Sequence, residues 1–92
     1  MNDTDRARSA LHALDSGCPR DEWARIGMAF KDAGGSLDDF IAWSEGAANF
    51  ESERDCRDAW RSFKPGKVTA ATLFARARDA GWREPTNGHS YT

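Results

Sequence analysis

Apolar residues recur along this chain at the three-to-four-residue spacing of helices, in five blocks separated by glycine, proline and serine. The first block, about Thr4–Leu14, carries Ala7, Ala10, Leu11 and Leu14 on one face. Asp3 or Thr4 suits its N-cap, and Asp15-Ser16-Gly17 breaks it. The second begins at Cys18-Pro19, because a proline at the first helical position lacks only an N–H that has no partner there. Asp21 and Glu22 follow at the positive end of the helix dipole. Trp23, Ile26, Gly27 and Phe30 mark its inner face, and Ala33-Gly34-Gly35 ends it with Gly34 in the left-handed cap position.

The third and fourth blocks open on the same signature, a serine with an aspartate three residues on: Ser36 with Asp39, and Ser52 with Asp55. Leu37, Phe40, Ile41 and Ser44 share a stripe on the third, with Trp43 beside it and Gly46 at its end. Phe50 is expected to anchor the loop that follows. Cys56, Ala59, Trp60 and Phe63 form the apolar face of the fourth, which the Lys64-Pro65-Gly66-Lys67 turn breaks. Thr69 is the expected cap of the fifth, with Val68 and Leu73 placed for a hydrophobic staple. Its inner face is Leu73, Phe74, Ala77 and Ala80, closed by Gly81-Trp82 with the tryptophan folding back. No stretch of four or more residues alternates apolar and polar with β-branched content, and one Val and two Ile give a sheet little to work with. The expected fold is all-α, a compact bundle of about five short helices around an aromatic core.

A length of 92 residues bounds this to one domain, too small for a dinucleotide-binding unit joined to a substrate domain. Residues 1–83 are the expected helical domain, and 84–92 (EPTNGHSYT) read as a tail or linker, as though the domain were a piece of a longer protein. The beginning of the chain has no apolar stretch of signal-peptide type, and no apolar run reaches membrane-spanning length. A cytoplasmic, monomeric domain with reduced Cys18 and Cys56 is expected.

Charge changes the picture more than composition does. The formal net charge of −2 speaks against a nucleic-acid binder, but it is unevenly spread. Residues 1–53 hold five basic and eleven acidic side chains, net −6; residues 54–83 hold eight basic and three acidic, net +5; Glu84 supplies the last −1. Arg57, Arg61 and Lys64 fall at i, i+4, i+7 beside the core face of the fourth helix, and Lys67 closes the turn after it. The start of the fifth helix offers backbone N–H groups to a phosphate, and Arg76 could extend the patch. Against this stand ordinary surface pairs: Glu53 with Arg57, Asp58 with Arg61, Arg76 with Asp79.

Catalytic and metal chemistry find no constellation. Asp3-Thr4-Asp5 has the spacing of a metal-binding acid pair, but at a chain terminus it reads as helix-start chemistry. Cys18, Cys56, His12 and His89 lack the paired spacing of a zinc site. Cys18 at a helix start could have a depressed thiol pKa, yet no base accompanies it. No nucleotide-cradling glycine motif occurs. The expectation is no catalytic residue, no metal and no cofactor.

The blocks PRDEWARIGMAFKDAGG (19–35), Trp43-Ser44, DCRDAWRSFK (55–64) and VTAATLFARARDAGW (68–82) resemble the second family of primase C-terminal domains. Trp23, Gly27-Met28, Trp60, Phe63, Thr72-Leu73-Phe74, Ala77 and Gly81-Trp82 carry the match in order and spacing over roughly residues 6–82. The resemblance implies a small helical, non-catalytic module of phage, plasmid and other mobile-element replication proteins, accompanying primase and helicase regions. It implies a role in DNA replication, by weak binding of single-stranded template or primer–template DNA through Arg57, Arg61, Lys64, Lys67 and Arg76, or by positioning for primer synthesis. The alternative is a protein-interaction or spacer module between primase and helicase, whose expected mark is an exposed apolar patch near Phe50 or Ile41. In the family the module often follows a primase catalytic domain; here Met1 directly precedes the first helix, so the chain is expected to be the start of a helicase-like protein or an excised fragment.

Overall fold

The computed structural model describes residues 3–48, 50–64 and 68–83. Five helices follow one another: α1 Asp3–His12, α2 Arg20–Asp32, α3 Leu37–Glu45, α4 Glu53–Ser62 and α5 Ala70–Asp79, with no strand among the described residues. The all-α bundle expected from the spacing is the fold observed.

The helix ends follow local chemistry. Ser36 and Ser52 cap α3 and α4, each hydroxyl accepting the backbone N–H three residues on, from Asp39 and from Asp55. α2 starts one residue later than its proline suggests: Pro19 is the N-cap, and its carbonyl accepts the N–H of Trp23 at 2.9 Å. α2 and α5 end alike. Gly34 and Gly81 adopt φ of +89° and +99°. The next N–H in each case, from Gly35 and from Trp82, reaches back to Phe30 and Ala77 carbonyls at 2.9 Å, the paired bonds of a Schellman motif.

The expected cap of α5 is corrected. Thr69 makes no side-chain cap bond; the Asp32 carboxylate, at the end of α2, accepts the Ala70 N–H at 2.9 Å instead. The aspartate puts a full negative charge on the N-terminus of α5, which a threonine hydroxyl cannot match. Ala80 also departs from expectation: it lies past the last turn of α5 and is exposed.

α2 is the axis, packing on all four other helices, while α1 lies against α5 and α3 against α4. Among the described residues α4 touches only α2 and α3. Phe40 sits at the centre of the core, with ring centroids of Trp23 at 5.0 Å, Trp60 at 5.3 Å, Phe63 at 5.8 Å and Trp43 at 6.1 Å. Gly27 makes this possible. A Cβ there would lie 2.5 Å from the Phe63 ring and 2.8 Å from Phe40, so the absent side chain is what lets these two phenylalanines approach α2. A second aromatic pole joins the chain's two ends: Phe74 stacks on Trp82 at 5.8 Å, the Arg6 guanidinium lies 3.9 Å over Phe74, and the Trp82 indole donates to Ser9 Oγ.

Buried indole N–H groups need acceptors, and each finds one. Trp23 donates to Ser44 Oγ at 2.9 Å, and Ser44 donates in turn to the Phe40 carbonyl at 2.8 Å. Trp43 donates to the Leu14 carbonyl at 3.0 Å, tying α3 to the end of α1.

Candidate nucleic-acid interface

The outward face of α4 follows from its periodicity. Cys56 and Phe63 turn into the core, with Ala59 and Trp60 packed against it at i+3 and i+4, so the opposite side of the helix faces water. Arg54, Arg57 and Arg61 occupy that face at i, i+3 and i+7, Lys64 follows just past the extended C-cap Phe63, and all four are exposed. At 1.5 Å of rise per residue, Arg54 to Arg61 spans about 10 Å along the helix. Because α4 packs only on α2 and α3, this row stands on a convex ridge at the edge of the bundle.

The row is only partly neutralised. Glu53 pairs with Arg57, as the spacing suggests. Asp58 lies on the same face, but it forms no ion pair with Arg61 among the described residues. Asp55, the remaining acid of α4, is drawn away from the row: Arg20 of α2 grips both of its oxygens at 2.7 Å. That bidentate bond holds the Asp55 carboxyl below its ordinary range and raises the Arg20 guanidinium. Arg54, Arg61 and Lys64 carry no ion pair among the described residues.

Both ends of the turn after α4 are fixed by α2. The Lys31 ammonium donates to the Trp60 carbonyl at 2.7 Å and the Phe63 carbonyl at 3.3 Å, closing the C-terminus of α4. Asp32, next in sequence, holds the start of α5. The phosphate seat expected at the α5 N-terminus therefore already contains a carboxylate.

Of the five basic residues singled out by sequence, Arg57 and Arg61 share an exposed face of α4 and Lys64 lies exposed just past its end. Lys67 lies outside the described residues, as do Pro65 and Gly66. Arg76 is not brought to them: it sits on α5, which makes no contact with α4, and its guanidinium pairs with Glu22 of α2 rather than with Asp79. Arg54 belongs to the row and escaped the sequence reading, though its i, i+3, i+7 relation to Arg57 and Arg61 was available in the spacing.

Elsewhere, a cavity of about 170 Å³ lies among α2, the α3–α4 loop and α4, lined by Cys18, Arg20, Trp23, Phe50 and Cys56 among others. Burial raises both thiols above their ordinary range, so the depressed pKa considered for Cys18 is corrected: loss of solvent outweighs its backbone hydrogen bond. Among the described residues no three His, Cys, Asp or Glu side chains are grouped to hold a metal, and no helix is long and apolar enough to cross a membrane. Ile41 is buried and Phe50 half-buried, so neither forms the exposed apolar patch expected of an interaction module.

The family model for primase C terminal 2 (PriCT-2) matches residues 7–77, and the chain belongs to that family. It is thus a primase-associated accessory domain, of a family not known to be catalytic. Searches of curated proteins and of solved structures return no match.

Proposed function

We propose that this domain contacts DNA for a primase–helicase replication protein of a mobile element, holding template or primer–template weakly beside the catalytic parts. The contact is the α4 row of Arg57, Arg61 and Lys64, extended by Arg54, with Lys67 following in the chain. Residues 1–83 form the contacting unit and 84–92 the tether to the rest of the protein. Arg76 is left out because Glu22 holds its guanidinium. The observation carrying this reading is the row itself: three exposed arginines on one face of α4 with Lys64 just past its end, of which Glu53 pairs only with Arg57, while Asp55 is held by Arg20. Family membership supplies the replication context.

Fluorescence anisotropy with labelled DNA at low salt tests it. Binding is expected, and Arg61→Glu with Lys64→Glu should weaken it about tenfold or more. Undetectable binding, or binding untouched by the double reversal, would refute the proposal in favour of a spacer that couples primase to helicase.

A further inference from the structure

Nucleic acid without sequence preference is gripped in two physically different ways. Single strands are held in a charged groove with aromatic rings on which bases stack, each stacked base contributing about 1–3 kcal/mol. Duplexes hide their bases and present phosphates at one charge per about 1.7 Å of axis, so a convex cationic surface suffices.

The α4 face has the second set of properties. Along Arg54, Arg57 and Arg61 it is a ridge rather than a groove, since α4 packs only on α2 and α3 among the described residues; at Lys64 it borders a cavity of about 190 Å³ shared with Met28, Lys31, Asp32 and Phe63. Its aromatic neighbours are committed to the core. Trp60 is the ring adjacent to the row; it packs on Phe40 and Phe63 and carries the Lys31 ammonium 5.5 Å from its centroid. Phe63 is buried beneath. Trp82, half-exposed, belongs to the other pole, stacked on Phe74 and bonded to Ser9. The row thus offers charge and hydrogen-bond donors, while the partly exposed ring beside it, Trp60, is packed against Phe30, Phe40 and Phe63.

We infer that the α4 ridge takes the phosphate backbone of duplex nucleic acid, not the bases of a single strand. In a priming protein the matching substrate is the double-stranded stretch behind a growing primer. This rests on the nucleic-acid reading above and narrows it. Three unpaired cations, Arg54, Arg61 and Lys64, set the scale: a slope of log K against log salt near −2.7, about a 40-fold loss between roughly 50 and 200 mM salt.

The experiment is anisotropy of the full chain against a labelled duplex, the same sequence single-stranded, and an abasic single strand, each across a salt series. Circular dichroism of every variant serves as the folding control. The expected result is duplex binding at least about fivefold tighter than single strand, with the abasic strand indistinguishable from the normal one. Asp58→Asn should tighten duplex binding, and Arg54→Glu should weaken it about as much as Arg61→Glu. Tighter binding of the single strand, with weaker binding of the abasic one and quenching of tryptophan fluorescence, would overturn the duplex assignment and leave nucleic-acid binding standing. If neither form binds, the underlying reading falls as well.

Discussion

The carboxylate of Asp32, the last residue of α2, accepts the backbone N–H of Ala70, the first residue of α5, at 2.9 Å. One helix thus supplies the cap that the next-but-two lacks. Asp32→Ala should cost about 1 kcal/mol in urea unfolding, the usual value of an N-cap. Thr69→Ala, which removes the residue at the cap position but no cap bond, should cost only a few tenths. Equal losses from the two variants would show that Thr69, not Asp32, closes the helix.

Gly27 offers a sharper contrast. Alanine is the better helix former by about 1 kcal/mol, so propensity alone predicts a gain. The ring atoms of Phe63 and Phe40, 2.5 and 2.8 Å from where its Cβ would stand, predict a loss. Phe40 is fully buried and Phe63 nearly so, so moving either ring disturbs the core. Gly27→Ala should lower stability by about 1–3 kcal/mol net. A raised melting temperature would mean that the two rings yield.

Asp55 gives the domain a pH dependence of definite sign. Its carboxyl is held below the ordinary range by the Arg20 guanidinium. A group with a lowered folded pKa adds stability above the unfolded value, near 3.9, and loses it as pH falls through the folded value. The contribution is therefore complete at neutrality, starts to fall as pH approaches about 4 and is gone only below the lowered folded value. Arg20 is more than half exposed, so solvent screening limits the pair to about 0.5–1 kcal/mol. Asp55→Asn should flatten that part of the stability curve in acid and leave its slope near neutrality unchanged. An unaltered acid limb would dismiss the pair.

The two thiols should react in order. Cys56 is buried and Cys18 half-buried, and burial raises both. A thiol reagent near pH 7.5 should label Cys18 first and slowly, and Cys56 only as the domain opens. Mass spectrometry of the singly labelled species reads the order; label on Cys56 first would contradict the packing.

The fold was legible where chemistry is local. The serine caps of α3 and α4, the left-handed Gly34 and Gly81, and the helical spacing of Trp23, Ile26 and Phe30 are each written within a few residues. What escaped was long-range. Asp32 and Ala70 stand 38 apart in sequence, so the cap of α5 had no local signal, and Thr69 was the natural substitute. The partner of Gly27 depended on which aromatic rings meet across α2, α3 and α4. In the site, the cationic face of α4 was readable from spacing. The engagement of Arg76 by Glu22, and of Asp55 by Arg20, required knowing which helices are neighbours.

The hydrogen bond from Trp82 to Ser9 closes almost the whole chain, 73 residues apart in sequence. Small helical proteins ordinarily assemble fast because their contacts are local. Here α1 must wait for α5, the last helix, before it gains its principal neighbour. The entropy of closing that loop falls before its contacts compensate. Docking of the first helix thus becomes a late step of refolding, and a ribosome must deliver nearly the entire domain before its opening segment can find its place.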